Sequence, residues 1–241
     1  MTNKITKLYH NWEEYYIDEY QEWWKPGANT LWYYNFNDRN SLQITDSSGN
    51  NRNLTWWTMP TYSLVSGTNY AGNFANVSWS IAPSYNNYWT MDWNYTFLAW
   101  VKPTATGQCY VKTLSSPQGT TNAHQISIIY NYNSNTFEYY DDMSSAWVKR
   151  TTIKSWAVIN NWYLVWYTRE GASVKTYQNG EFSTSITGST STQNKLLWIW
   201  SSREWDRFKW LISEVIIENK VRTAQEIADY YNQTKSLYWI N

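Results

Sequence analysis

The run from Trp162 to Thr168 constrains the fold more than any other part of the chain, because its side chains alternate between two faces. A period of two residues is the spacing that a strand in a two-layer β-sheet requires. One face carries Tyr163, Val165 and Tyr167, and the other carries Leu164, Trp166 and Thr168.

The residues that follow predict a three-stranded antiparallel meander. Glu170-Gly171 interrupts the alternation, and a second strand-like run covers Val174–Gln178. Asn179-Gly180 then predicts a tight hairpin turn, since both residues tolerate positive φ. A third strand, Phe182–Thr187, follows at once. Minimal turns of this kind join neighbouring antiparallel strands.

The end of the chain predicts one short helix. Thr223-Ala224-Gln225-Glu226 has the sequence of a capping box, in which the threonine and the glutamate each satisfy a backbone amide of the first turn. The apolar stripe expected at helical spacing consists of Ala224, Ile227, Ala228 and Tyr231. We expect this stripe to pack across the sheets.

The order of these segments resembles the laminin-G-like, concanavalin A-like jelly-roll family. Leu31–Phe36 is similar to its first strand, and the turn after it carries Asp46, which can accept bonds from backbone amides, and Gly49, which can take the strained conformation. Tyr95–Pro103 and Leu211–Ile217 are similar to two further strands of the family.

The resemblance implies an all-β fold: a two-sheet antiparallel jelly-roll sandwich with a short C-terminal helix and an N-terminal arm. The sandwich is assigned to residues 29–241 and the arm, or attachment segment, to residues 1–28, which Pro26-Gly27 separates from the first strand. Two interpretations of the arm are open: a small hairpin that covers a sheet edge, or a segment that docks onto an assembly partner. A short arm ahead of a jelly roll also resembles the attachment segment of small phage virion proteins.

Composition excludes several classes of partner. The chain has 241 residues, which suits one domain, and 19 basic against 19 acidic residues, so it has no general attraction for nucleic acid. No apolar run reaches the ~18 residues of a membrane span, and the N-terminus lacks the apolar region of a secretory signal. We expect synthesis in the cytoplasm and no membrane insertion. The single cysteine, Cys109, forms no disulfide framework within one chain.

Tryptophan is unusually common and glycine unusually rare. The chain has 19 Trp and 9 Gly, although average glycine usage is about 7% and turn-rich β folds need more. Trp200 and Trp210 stand where the family has glycine. Two explanations are open. Some of these tryptophans are encoded by UGA, which the source reads as glycine but which is translated here as tryptophan. Alternatively, the protein is rich in tryptophan because it binds sugars.

Catalytic patterns are absent from the sequence. Jelly-roll glucanases resemble this fold and carry paired carboxylates on one strand, whereas Glu214 and Glu218 have no acid between them. The two histidines, His10 and His124, lie far apart and do not suggest a zinc site, and no G-x-S-x-G motif is present for a serine nucleophile. We predict that the protein is not an enzyme.

One acidic pair is a candidate metal site. Asp141-Asp142 follows the apparent strand Phe137–Tyr140, where it is expected to cap a hairpin turn. Its oxygen ligands suit Ca²⁺, the one cofactor that the sequence suggests. An acidic turn without a metal is the alternative.

Two segments are candidates for ligand binding. The segment 82–89 carries Tyr85, Tyr88 and Trp89 beside amide side chains, a combination that suits flat sugar faces and their hydroxyls. Arg203 and Asp206 lie in a charged hairpin tip and could hydrogen-bond a glycan. The alternatives are a connector that covers the sandwich edge and a solvated turn.

The resemblance implies a binding or adhesion module whose partner is a glycan or a cell-surface receptor. A second hypothesis is a structural or decoration component of a virion or other surface assembly, which contacts other structural proteins through residues 1–28. A third, a glycoside hydrolase, is disfavoured by the missing carboxylate pair. A virion or an extracellular surface is the expected location, and assembly into a homo-oligomer remains open.

Overall fold

The computed structural model describes part of the chain. The described residues are 5–10, 13–18, 26–40, 43–55, 60–74, 82–83, 89–90, 93–104, 109–115, 125–131, 134–141, 149–154, 156–189, 194–195 and 210–238.

Within these residues the protein is built almost entirely of antiparallel β-strands, followed by one α-helix, α1 (Ala224–Thr234), and a turn of 3₁₀ helix (Lys235–Tyr238). The strands are β1 (Ile5–His10), β2 (Glu13–Asp18), β3 (Thr30–Tyr34), β4 (Leu54–Thr55), β5 (Thr61–Ser66), β6 (Asn69–Asn73), β7 (Ala82–Pro83), β8 (Trp89–Thr90), β9 (Tyr95–Pro103), β10 (Cys109–Ser115), β11 (Gln125–Asn131), β12 (Thr136–Asp141), β13 (Lys149–Lys154), β14 (Tyr163–Glu170), β15 (Ser173–Gln178), β16 (Glu181–Thr187), β17 (Asn194–Lys195) and β18 (Trp210–Glu218).

Two antiparallel sheets form the sandwich. The larger sheet has the order β16-β15-β14-β9-β18-β6-β5, and β3 pairs with the second half of β18. The smaller sheet has the order β10-β11-β12-β13. The predicted all-β jelly-roll sandwich with a short C-terminal helix is confirmed, including the predicted strand from Tyr95 to Pro103, where the proline ends the ladder because it has no amide hydrogen to donate.

The main core lies between the two sheets. The smaller sheet contributes alternate residues of β11, and the larger sheet contributes the face of β14 that carries Tyr163, Val165 and Tyr167. The predicted shared face of Ile126, Ile128 and Tyr130 is confirmed. Aromatic rings interlock across the gap, and Tyr139 meets Tyr167 edge to face with their centroids 5.1 Å apart.

A second core covers the opposite face of the larger sheet. It contains the other face of β14, with Leu164 and Trp166, and the buried side of the C-terminal helix, with Ile227 and Tyr230. The larger sheet is therefore buried on both faces, which explains why β14 is apolar and aromatic on both of its faces.

The predicted turns have the expected backbone. Asn179 and Gly180 both have positive φ, 52° and 80°, as the two-residue hairpin between β15 and β16 requires. Gly180 is also held close to the helix, since a Cβ there would lie 3.0 Å from the Cβ of Tyr231. The hairpin turn thus lies against the helix that covers the sheet.

Asp46 organises the turn after β3, as the sequence predicted. Its Oδ1 accepts hydrogen bonds from the backbone amides of Tyr33 and Ser48, at 3.1 and 3.0 Å. Its Oδ2 accepts one from the backbone amide of Arg52 at 2.9 Å. Gly49 has a φ of 87°, which an L side chain rarely adopts. One carboxylate therefore fixes the turn to the first strand of the sandwich.

The predicted capping box of α1 is present, with reciprocal bonds between Thr223 and Glu226. Burial tends to raise the pKa of the Glu226 carboxyl. Hydrogen bonds from Lys220 and Thr223 together have the larger effect and lower this pKa to about 2. The predicted apolar stripe needs correction: Ala224 is exposed and Tyr230 is buried, because the helix turns its Ile227–Tyr230 side toward the sheet. Among the described residues, no helix has the length and apolar character needed to cross a membrane.

Trp210, one of the residues at a family glycine position, fills part of the main core. It is completely buried, and its ring meets Tyr130 and Phe137 edge to face, at 6.2 and 5.6 Å between centroids. The structure therefore accommodates tryptophan here. Trp200 lies outside the described residues, and the UGA-codon explanation for these two tryptophans stays a prediction.

The N-terminal segment contains an antiparallel hairpin. β1 and β2 pair from Ile5 opposite Asp18 to His10 opposite Glu13. These strands form although the sequence of this segment shows no clean alternation. The division into an arm (1–28) and a sandwich (29–241) stays a prediction.

A buried ion pair joins the two sheets. The guanidinium Nη1 of Arg169, on β14, lies 3.1 Å from Oδ2 of Asp141, on β12, and both side chains are fully buried. Arg169 also donates to the carbonyls of Gly171 and Ser189 and lies against the ring of Trp93, 4.2 Å from its centroid. The charges are paired and hydrogen-bonded, as buried charges must be.

Removing the cation alone should destabilise the protein strongly. Arg169→Met leaves the Asp141 carboxylate buried without its counter-charge, so we expect the free energy of unfolding to fall by about 3–5 kcal/mol in urea titrations. Adding Asp141→Asn should recover part of this loss, because the amide oxygen still accepts from the Ser189 amide. Arg150→Met, which removes the half-exposed partner of Glu138, is the control and should cost about 1 kcal/mol or less. Equal losses for Arg169→Met and Arg150→Met would contradict a special role for the buried pair.

Candidate functional site

A groove of about 510 Å³ opens at one end of the larger sheet, beside the 3₁₀ helix. Strands β9 and β15 end there and β14 and β18 begin there, so the loops and termini of four antiparallel strands meet at its rim. The residues that line it are Leu64, Val65, Lys102, Asn160, Asn161, Trp162, Tyr163, Asn179, Leu211 and Tyr238.

Two exposed asparagines form one side of the groove. Asn160 has a φ of 69°, a left-handed conformation that asparagine tolerates better than most residues, and its amide donates to the carbonyl of Pro103 at 2.7 Å. The amide of Asn161 donates to the carbonyl of Val158 at 3.3 Å. These backbone bonds fix the loop and present two carboxamide side chains to solvent.

Aromatic rings form the wall beneath the 3₁₀ helix. Tyr238 stacks on Trp100 with centroids 4.0 Å apart and meets Trp162 at 5.0 Å. Only 8% of Trp162 and 6% of Tyr238 are exposed, so they offer ring edges and not open faces. The Tyr238 hydroxyl donates to Oγ of Ser213 at 3.1 Å, which holds the ring in place.

A cation and an apolar ridge complete the lining. Lys102 is half-buried near the end of β9, and its ammonium lies 6.0 Å from the ring centroid of Trp162. Leu64 on β5 is 61% exposed. Amides, one cation and apolar surface can together hold a ligand that has hydroxyl groups and an apolar face. None of the described residues that line the groove has a carboxylate side chain.

The described residues that line this groove include none of the five that the sequence suggested for ligand binding. Tyr85, Tyr88, Arg203 and Asp206 lie outside the described residues. The backbone of Trp89 lies in β8, paired with Lys195. A ligand-binding role for these five residues stays a prediction.

The groove residues were missed because their sequence signal is local and weak. Asn160-Asn161 precedes the alternating strand, and Lys102-Pro103 ends another strand. Each pair is typical of a strand terminus, and only the antiparallel pairing of β9 with β14 brings the two termini together.

Asp141 lies inside the sandwich, at the end of a strand and not in a turn. Besides Arg169, its Oδ2 accepts from the Ser189 amide at 3.0 Å and from the Tyr139 hydroxyl at 3.2 Å. A guanidinium already neutralises this carboxylate, which weakens its attraction for Ca²⁺. The described residues contain no cluster of three or more His, Cys, Asp or Glu that could hold a metal. Asp142 lies outside the described residues, so calcium at this pair stays a prediction.

The two glutamates of β18 have separate partners. Glu218 forms a two-bond ion pair with Arg222. The half-buried Glu214 accepts a hydrogen bond from the hydroxyl of Tyr230 on the helix. Burial raises the pKa of Glu214, while hydrogen bonds from the Tyr230 and Tyr33 hydroxyls lower it by a smaller amount. Neither contact resembles the paired carboxylates that flank a glycosidic bond in glycosidases.

A family model matches residues 72–228, which is more than half of the chain, and its description is concanavalin A-like lectin/glucanases superfamily. The matched range begins in β6 and ends within the C-terminal helix. No curated protein sequence matches the chain.

Solved structures share the fold at low sequence identity. Trypanosoma rangeli sialidase in complex with sialic acid has a TM-score of 0.62 and 13% identity, over 88% of this chain and 34% of that chain. Domain 4 of AbnA, a GH43 extracellular arabinanase from Geobacillus stearothermophilus, in complex with arabinotriose, has a TM-score of 0.58 and 18% identity, over 83% and 97%. Botulinum neurotoxin type C, whose cell entry depends on interaction with two ganglioside molecules, has a TM-score of 0.55 and 14% identity, over 87% and 51%. The chain thus spans 34% of the sialidase and 51% of the neurotoxin chain.

The raised pKa of Glu214 predicts a pH-dependent effect of its replacement. Because the folded pKa lies above the unfolded value of about 4.3, folding favours the protonated form, and this advantage is lost as the pH rises from about 4.3 through the folded pKa. Glu214→Gln keeps an acceptor for Tyr230 without the charge. Relative to the wild type, we expect the variant to gain stability in urea titrations as the pH rises above about 4.3.

Glu218→Gln is the control for this prediction, and it should lose stability at neutral pH because Arg222 loses its counter-charge. A Glu214→Gln variant that loses stability relative to the wild type as the pH rises would show that the tyrosine hydroxyls, and not burial, dominate.

Proposed function

Because the chain belongs to the concanavalin A-like lectin/glucanases superfamily, we propose that it is a non-catalytic module that binds a cell-surface glycan in the groove beside the 3₁₀ helix. The observation that carries this proposal is the lining of the groove. Exposed carboxamides, a cation and apolar surface converge there, which suits binding of hydroxyl-rich ligands. The described residues that line the groove do not provide the carboxylate pair that glycosidases use for hydrolysis.

The fold relatives support a carbohydrate ligand. Sialic acid, arabinotriose and gangliosides are named with three proteins of this fold. Their identities with this chain are too low to transfer a binding site, so the location of the site rests on the groove alone.

The charge of the groove favours an acidic sugar. Lys102 is the one charged residue among the described residues that line it. A carboxylate on the ligand would form a charge-assisted hydrogen bond with its ammonium, and such bonds contribute about 1.5–3 kcal/mol. A neutral sugar would rely on the asparagine carboxamides and on the exposed side chain of Leu64.

Replacing groove residues should weaken glycan binding. We expect Lys102→Met to lower the affinity for sialyllactose about tenfold or more and to change the affinity for lactose little, as measured by titration calorimetry. Asn161→Ala should weaken both ligands. Lys175→Met, at an exposed lysine of β15 outside the groove, is the matched control.

Two outcomes would contradict this proposal in different ways. If the wild type binds no ligand on a glycan array, the proposed function is wrong. If it binds a glycan that none of the groove variants affects, the function stands but the site lies elsewhere.

A second candidate function is that of a structural or adhesion component of a virion or surface assembly, and the hairpin of β1 and β2 ahead of the sandwich favours it. In this role the hairpin contacts other structural proteins and the sandwich decorates the surface. The two roles are compatible in a receptor-binding component.

Deleting residues 1–28 separates the two roles. If the hairpin is an attachment segment, we expect the truncated protein to keep its melting temperature and glycan affinity but to lose incorporation into the assembly, as followed by co-sedimentation. A fall in melting temperature would show that the hairpin instead covers part of the sandwich.

A further inference from the structure

Trp156 is the most exposed large hydrophobic residue in the described part of the chain, with 82% of its surface accessible. Its φ is 68°, in the left-handed region that bulky L residues rarely adopt. No hydrogen bond or ring contact joins it to another described residue. The protein therefore holds a tryptophan in a strained backbone conformation and gains little packing from its ring.

The backbone that follows Trp156 is fixed by three hydrogen bonds. The amide of the buried Ala157 donates to the carbonyl of Asn135 at 2.7 Å, and the carbonyl of Ala157 accepts from the Tyr130 hydroxyl at 3.3 Å. The amide of Val158 donates to the Tyr163 hydroxyl at 2.6 Å. The surrounding structure thus imposes the strained conformation, as is typical of residues whose strain serves a function.

The same loop leads into the groove. Trp156 lies at its start, and Asn160 and Asn161, which line the groove, lie at its end. A stretch of six residues spans at most about 18 Å between its first and last Cα atoms, so the Cα of Trp156 lies within that distance of the Cα of Asn161. The intervening Val158 is 57% exposed, so the loop carries a second exposed apolar side chain between the tryptophan and the groove residues.

We propose that Trp156 is a second carbohydrate subsite, on which one ring of an oligosaccharide stacks while a neighbouring sugar occupies the groove. This inference rests on the proposed glycan-binding function. The indole offers a flat apolar face to one side of a sugar ring, and its N–H can donate to a hydroxyl. Because the loop is already fixed, binding costs little conformational entropy. The ligand class is an oligosaccharide with at least two sugars.

Two series of ligands test the inference by calorimetry: N-acetylneuraminic acid with sialyllactose, and arabinose with arabinotriose. The groove alone binds the monosaccharides, so Trp156→Gly should leave their affinities unchanged and lower the affinity for the matching oligosaccharide about tenfold. Trp156→Tyr keeps a stacking face and should retain most of the affinity. Lys175→Met, at an exposed residue of β15 outside the groove, is again the control.

Thermal unfolding separates a binding role from a structural one. Glycine adopts the left-handed conformation without strain, so Trp156→Gly should raise the Tm by about 2 °C. Higher stability with weaker oligosaccharide binding is the expected result. Higher stability with unchanged oligosaccharide binding would overturn the inference and would identify residue 156 as a position that simply prefers glycine.

Other results would also overturn it. If the wild type binds no sugar at all, the inference falls together with the proposed function. If monosaccharides bind and depend on Lys102, but the oligosaccharides gain nothing from Trp156, the inference alone is wrong. Sedimentation with vesicles of phosphatidylcholine and phosphatidylserine provides the last comparison: vesicle binding that Trp156→Gly abolishes, with glycan affinity unchanged, would assign the residue to a lipid surface.

Discussion

The fold depends on the burial of the larger sheet on both of its faces. Strands β9, β14 and β18 lie at its centre, and each packs one face against the smaller sheet and the other against the C-terminal helix. Neither covering layer can be lost without exposing a continuous row of aromatic and aliphatic side chains, whose burial is the main stabilising contribution in a domain of this kind. The Arg169–Asp141 ion pair adds a specific link between the two sheets, and the close contact of Gly180 with Tyr231 links the β15–β16 hairpin to the helix.

This arrangement decides where binding can occur. The faces of the larger sheet are occupied, so ligands have access to the rims, where strands end and loops carry polar groups. The groove lies at such a rim, and its polar residues come from strand termini that are far apart in the sequence. The loop of residues 156–161 is fixed by backbone hydrogen bonds, which makes this rim a rigid surface and not a mobile one.

The sequence predicted the fold well but did not indicate the groove, for identifiable reasons. Alternation in β14, the Asn179-Gly180 turn, the Asp46 turn and the capping box are local patterns, each set by residues close together in the chain, and each is confirmed. The assignment of Asp141 to a turn was wrong because the strand extends one residue further and carries its carboxylate into the core. The helix stripe was shifted because the choice between Ala224 and Tyr230 depends on how the helix is oriented on the sheet.

The sequence by itself determined the layers of this protein: antiparallel strands with a period of two, tight turns at glycine and asparagine, and a capped helix at the end. These features follow from the conformational preferences of neighbouring residues. Only the tertiary structure decided that Lys102, Asn161 and Tyr238 share a groove, that Arg169 meets Asp141, and that Trp156 is held in a strained, exposed conformation. Such juxtapositions depend on strand order, register and the packing of distant segments, which no local pattern encodes.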